Sequence, residues 1–140
     1  MTPTAIFSLS NMLVMPMWIL MIFLPSWKAT RFLINFKVIP LVLALIYVIY
    51  IFLSLQDGGG LDFGSLGAVM DLFTKEQAVL AGWVHYLAFD LLVGMWMIDQ
   101  NRVLKIHPLL MAPCLVGTFM LGPIGFLVFM GIKAFKNKQS

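Results

Sequence analysis

Long apolar stretches separated by short polar or basic segments run along the whole chain. The first covers about residues 5–25 and contains Pro16, which predicts a kink. Pro25 and Trp27 close it, and Lys28 and Arg31 follow, an aromatic-then-basic order typical of a membrane interface. The second covers residues 38–55, with Pro40 near its start, where a missing N–H costs least. The third covers residues 76–98. Thr74-Lys75-Glu76-Gln77 before it fits a capping box with Thr74 as N-cap, and Asp99, Arg102 and Lys105 form the turn after it. The fourth covers residues 108–135, opens on Pro108, and is interrupted by Gly122-Pro123. Runs of roughly 18–20 apolar residues suffice to cross a hydrocarbon core about 30 Å thick.

Between the second and third runs, Gln56-Asp57-Gly58-Gly59-Gly60 reads as a loop. Leu61 to Phe73 mixes apolar residues with Asp62, Gly64, Gly67 and Asp71. It is too short and too polar to cross, and it predicts a short helix at the membrane surface. The expected fold is an all-α integral membrane protein: one domain over residues 1–140, a bundle of about four transmembrane helices with a short interfacial helix between spans two and three. Four crossings would place both termini on one side. The basic residues divide five against four between the two faces, which leaves the orientation open; the uncharged N-terminus and basic first loop lean towards both termini outside the cytoplasm.

Composition agrees. Apolar residues make up 61% and charged residues 11%, against about 45–50% and about 25% in soluble domains. The formal charge is +3, and its carriers are dispersed at segment ends rather than clustered as a nucleic-acid patch requires. The lone Cys114, in an apolar run, reads as a buried inert thiol. Met1 to Ser10 lacks a basic n-region and a cleavage site. That suits a bacterial inner-membrane or thylakoid-type protein, or a plastid-membrane protein already trimmed.

Ionisable groups at membrane depth are costly and therefore informative. His85 and Asp90 in the third span are such groups. Trp83, Tyr86, Asp90, Gly94 and Met97 share one helical stripe, and His85, Phe89 and Trp96 form a second. A carboxyl withdrawn from water can serve as a general acid or base; the bland alternative is an interhelical hydrogen bond. Asp90 is expected to face the bundle interior within reach of a polar group on another helix, beside Gly122-Pro123. Gly94 lets a neighbouring helix approach. Asn11 reads as a cap or an interhelical hydrogen bond, His107 as solvated. His85, Asp90 and His107 have no metal-ligand spacing, so no metal or other cofactor is implied.

Several segments together resemble a known family. They are Trp18-Ile19-Leu20 through Leu24-Pro25-Ser26-Trp27, the run Gly82 to Leu91 (GWVHYLAFDL) followed by Gly94, Pro113-Cys114-Leu115, and Gly122-Pro123-Ile124-Gly125. The chain resembles the small membrane proteins that include the plant protein required for neoxanthin synthesis, named for an abscisic-acid-deficient mutant. The likeness covers nearly the whole chain. It implies carotenoid chemistry of the kind that opens an epoxide while a neighbouring carbon loses a proton.

On that basis the expected function is proton-transfer isomerisation of a xanthophyll-like lipid. Asp90, His85 and Tyr86 are the catalytic candidates; Trp83, Phe89, Gly94, Trp96, Gly122 and Pro123 are the substrate-binding candidates. The expected partners are membrane lipid, a carotenoid-like hydrophobic ligand, and further copies or a larger membrane complex. The alternative is a non-catalytic pigment- or lipid-binding or assembly protein.

Overall fold

The computed structural model describes residues 2–56 and 61–139, so most of the expected loop at residues 56–60 lies outside the described residues. Seven helices follow in order among these residues: α1 (Pro3–Phe23), α2 (Lys28–Phe36), α3 (Val38–Gln56), α4 (Leu66–Leu72), α5 (Glu76–Leu104), α6 (Pro108–Leu121) and α7 (Pro123–Gln139).

Three of them, α1, α3 and α5, are long and apolar enough to cross a membrane. Thr2 caps α1, its hydroxyl oxygen accepting from the Ala5 N–H at 3.1 Å, and Pro3 opens the first turn. The helix continues through Pro16. α3 turns Leu41, Leu45, Val48 and Phe52 outward. Such a face is stable against lipid chains but not against water. α5 is central: it packs on α1, α3, α6 and α7 and buries Leu80, Val84, Leu87, Leu91 and Met95. It extends beyond the expected end at residue 98, to Leu104, and Lys105 terminates it in the left-handed region.

The expected fourth span, 108–135, is not a continuous crossing. α6 has 14 residues, about 21 Å at 1.5 Å per residue, too short for the core. Gly122 then adopts φ +33°, and Pro123, which lacks an N–H, starts α7 in a new direction. The new direction is a reversal. A Cβ on Gly117 would lie 3.1 Å from the Gly125 Cα, so the two helices touch backbone to backbone. Phe126 and Phe129 of α7 pack on Trp96, while Lys133 donates to Gln100 Oε1 at 2.7 Å and Lys136 to the Leu104 carbonyl at 2.6 Å. α7 thus runs beside the second half of α5 and ends where α6 began. α6 and α7 form a re-entrant hairpin whose tip lies in mid-membrane, a backbone break tolerated there because it is buried in protein.

The short elements lie at the helix ends. α2 was expected as a loop; it is a nine-residue helix that buries Thr30 and Ile34 and exposes Phe32 and Phe36. α4 is a seven-residue helix within the predicted surface segment and does not cross. The capping box at Thr74 does not form: Lys75 is the N-cap of α5, and the Thr74 hydroxyl donates to the Asp71 carbonyl, closing α4. His107 is exposed, as expected, and also caps α6, its Nδ1 accepting from the Leu109 N–H at 3.1 Å.

Three crossings and a hairpin place the termini on opposite sides, correcting the four-span arrangement. Among the described Lys and Arg side chains, all except Lys75 now fall on the side of α2 and the α5–α6 turn. By the positive-inside rule, that asymmetry predicts that this side faces the cytoplasm. Impermeant thiol labelling should therefore reach a cysteine introduced at Thr2 from outside the cell and one at Asn137 only after permeabilisation.

Candidate functional site

Asp90 is the midpoint of α5, 14 residues from either end, or about 21 Å. The hairpin tip comes to the same level. A Cβ on Gly122 would lie 2.8 Å from Asp90 Oδ1, so only glycine leaves room for the carboxyl beneath the turn. Asp90 is partly buried, and its Oδ2 is enclosed without a hydrogen-bond partner. The bond to another helix expected of Asp90 is made instead by Tyr86, one turn earlier. The Tyr86 hydroxyl, which interacts with the Asp90 carboxyl, donates to the Met120 carbonyl at 3.0 Å. That carbonyl is free because α6 stops at Leu121 and offers no amide one turn on.

Trp83 extends the site toward the N-terminal end of α5. Its indole stacks on Tyr86 with ring centres 5.5 Å apart, and its Nε1 donates to Asn11 Oδ1 of α1 at 2.9 Å. Asn11 is thus an interhelical tie, not a cap. Between α1, α5 and α6 these residues line a groove of about 340 Å³. Its walls are Val14, Leu87 and Phe119, with Asn11 and Trp83 at one end and Tyr86 and Met120 at the other. Farther along the stripe, the Trp18 ring lies across Gly94, where a Cβ would meet its Cη2 at 2.6 Å. Thr118 donates to the Cys114 carbonyl at 2.8 Å and to Met97 Sδ at 3.4 Å, holding α6 in place.

The structure therefore separates the residues named from the sequence. Trp83, Tyr86, Asp90 and Gly122 are brought together, with Pro123 fixing the turn behind them. His85 and Phe89 face elsewhere: they stack on each other at 4.7 Å, and His85 meets the edge of Tyr47 on α3. His85 lines a different cleft, of about 270 Å³, with Phe63, Phe73 and Gly82. Trp96 belongs to the α7 contact. Trp83, Phe89 and Trp96 do not share one pocket: Trp83 stacks on Tyr86, Phe89 on His85, and Trp96 meets Phe129 two turns beyond Phe89 on the same stripe. The Met120 carbonyl was not read from the sequence, since a backbone acceptor has no signal beyond the Gly-Pro step that frees it.

Gly122→Ala should cost about 1–3 kcal/mol, the usual penalty for a strained backbone position, and should displace Asp90. Thermal unfolding in detergent checks this.

An all-α, polytopic membrane protein with a re-entrant hairpin over a carboxyl group is the class these features define. The family model for ABA4-like proteins (ABA DEFICIENT 4-like) matches residues 5–129, and the chain belongs to that family. No curated protein matches the chain, and neither does any solved structure.

Proposed function

We propose that the chain acts in carotenoid metabolism as a proton-transfer isomerase of a xanthophyll-like lipid, with Tyr86 and Asp90 as its reactive pair. Family membership supports the metabolic assignment. The observation that carries the chemistry is a mid-membrane carboxyl with an unpartnered oxygen, beside a phenol that borders a groove of apolar walls. A polar group kept at this depth at such cost is a functional candidate.

The reaction requires only proton movement. The Tyr86 hydroxyl borders the groove, and turning from the Met120 carbonyl lets it donate to the epoxide oxygen of a bound substrate. As the C–O bond opens, that oxygen takes a proton supplied by Asp90 through Tyr86. The neighbouring carbon releases a proton to the resulting carboxylate, and the electron pair of its C–H bond becomes the new C=C bond. The product is an isomer of the substrate and the pair returns to its starting state. Apolar walls exclude water, which would otherwise add to the opened epoxide. Trp83 and Phe119 supply flat surfaces against which a polyene can lie.

Pigment profiling of a strain lacking the chain tests this reading. Loss of one xanthophyll and accumulation of its epoxide isomer, reversed by the wild-type chain, is the expected result. An unchanged profile would favour the assembly alternative.

A further inference from the structure

We propose that the cleft on the basic side, between the α1–α2 connection and the α5–α6 turn, binds the phosphate-bearing headgroup of an anionic membrane lipid. The cleft has a volume of about 200 Å³, and Ser26, Arg31, Asn101 and Arg102 line it together with apolar residues that include Ile22 and Leu115. The polar residues stand near helix ends and connections, and the apolar ones run from the last turn of α1 to about two turns into α6. This order matches a lipid, with its charged head at the interface and its chains running inward.

Arg31 provides the independent observation. It is partly buried against the cleft, yet its guanidinium makes no hydrogen bond or ion pair among the described residues. Five donors in a rigid fork are thus available, and a phosphate accepts such a fork in bidentate fashion. Arg102 is differently placed: Asp99 Oδ1 lies 3.4 Å from it, and Asn35 accepts from it at 3.4 Å. These contacts hold its side chain at the rim, and Lys37 also lies near Asp99, at 3.9 Å. Asn101 is occupied with the Ile106 backbone and shapes the turn. Basic pockets between transmembrane helices on the cytoplasmic side recognise acidic lipid headgroups for these reasons.

Native mass spectrometry of the purified full chain tests the site, with phosphatidylglycerol and phosphatidylcholine as probes. Wild-type protein should retain phosphatidylglycerol in preference to phosphatidylcholine. Arg31→Gln should weaken phosphatidylglycerol binding about fivefold, the effect of one basic group near an acidic headgroup, with phosphatidylcholine unchanged. Arg31→Lys, which keeps the charge and loses the fork, should fall between and serves if Arg31→Gln does not fold. Lys28→Gln removes the same charge from an exposed position outside the cleft and should have no effect. Equal losses from Lys28→Gln and Arg31→Gln would overturn the proposal in favour of a diffuse basic face. Displacement of the lipid by millimolar inorganic phosphate would overturn the lipid assignment in favour of a free anion.

Discussion

Asp90→Asn should lower xanthophyll conversion by about 10²–10⁴-fold, the usual contribution of a positioned acid or base, while the protein accumulates in the membrane at the wild-type level. The amide has the volume of the carboxyl, so it fits under Gly122 without moving the hairpin. It also takes no existing bond from Oδ2, which has none. What it loses is the capacity to give and recover a proton. Tyr86→Phe should reduce conversion as well, and it also removes the tie to Met120. His85→Ala should leave conversion unchanged, because His85 faces Tyr47 on the other side of α5. Pigment quantification across the three variants, normalised to protein in the membrane, checks this ordering. Loss of conversion with His85→Ala and retention with Asp90→Asn would reverse the assignment.

Gly125→Val should have the largest effect on folding. A Cβ at Gly125 would press on the Thr118 amide nitrogen and on the Cys114 carbonyl oxygen, the latter at 2.5 Å. These are backbone atoms of α6 and cannot rotate away as a side chain can. The helices must separate, at a cost at or above the upper end of the about 1–3 kcal/mol typical of overpacking. Separation would also uncover Cys114, which is fully buried. Gly131, on the same helix, has open space where its Cβ would be, so Gly131→Val is the matched control and should cost far less. Thermal unfolding together with maleimide labelling of Cys114 measures both effects. Equal melting temperatures and equally protected thiols in the two variants would contradict the re-entrant packing.

How much of this was legible in the sequence varied with the kind of signal. The spans at 38–55 and at the start of α5 were legible because lipid-facing apolar runs have a length fixed by the bilayer. The stripe Trp83, Tyr86, Asp90, Gly94 was legible because helical period alone assigns those residues to one face; that face meets α1 and α6. The fourth span was misread because hydropathy does not distinguish one long crossing from two half-length helices folded together. The decisive feature is local: positive φ at Gly122, proline next, and Gly117 against Gly125. That single misreading also hid the charge asymmetry, since reversing α7 moves Lys133 and Lys136 to the opposite side. α2 was missed because nine residues holding Lys28, Arg31 and Asn35 resemble a polar loop until Thr30 and Ile34 are buried. His85 was assigned to the site because its residue type suits proton transfer; its direction of departure from α5 excludes it from the Tyr86–Asp90 cluster.

The most direct measurement is conversion of an epoxy-xanthophyll such as violaxanthin by the purified chain in liposomes. Wild-type protein should yield a product of unchanged mass and altered chromatographic mobility, and Asp90→Asn should yield none. A product of different mass, or equal conversion by Asp90→Asn, would contradict proton-transfer isomerisation at the hairpin tip.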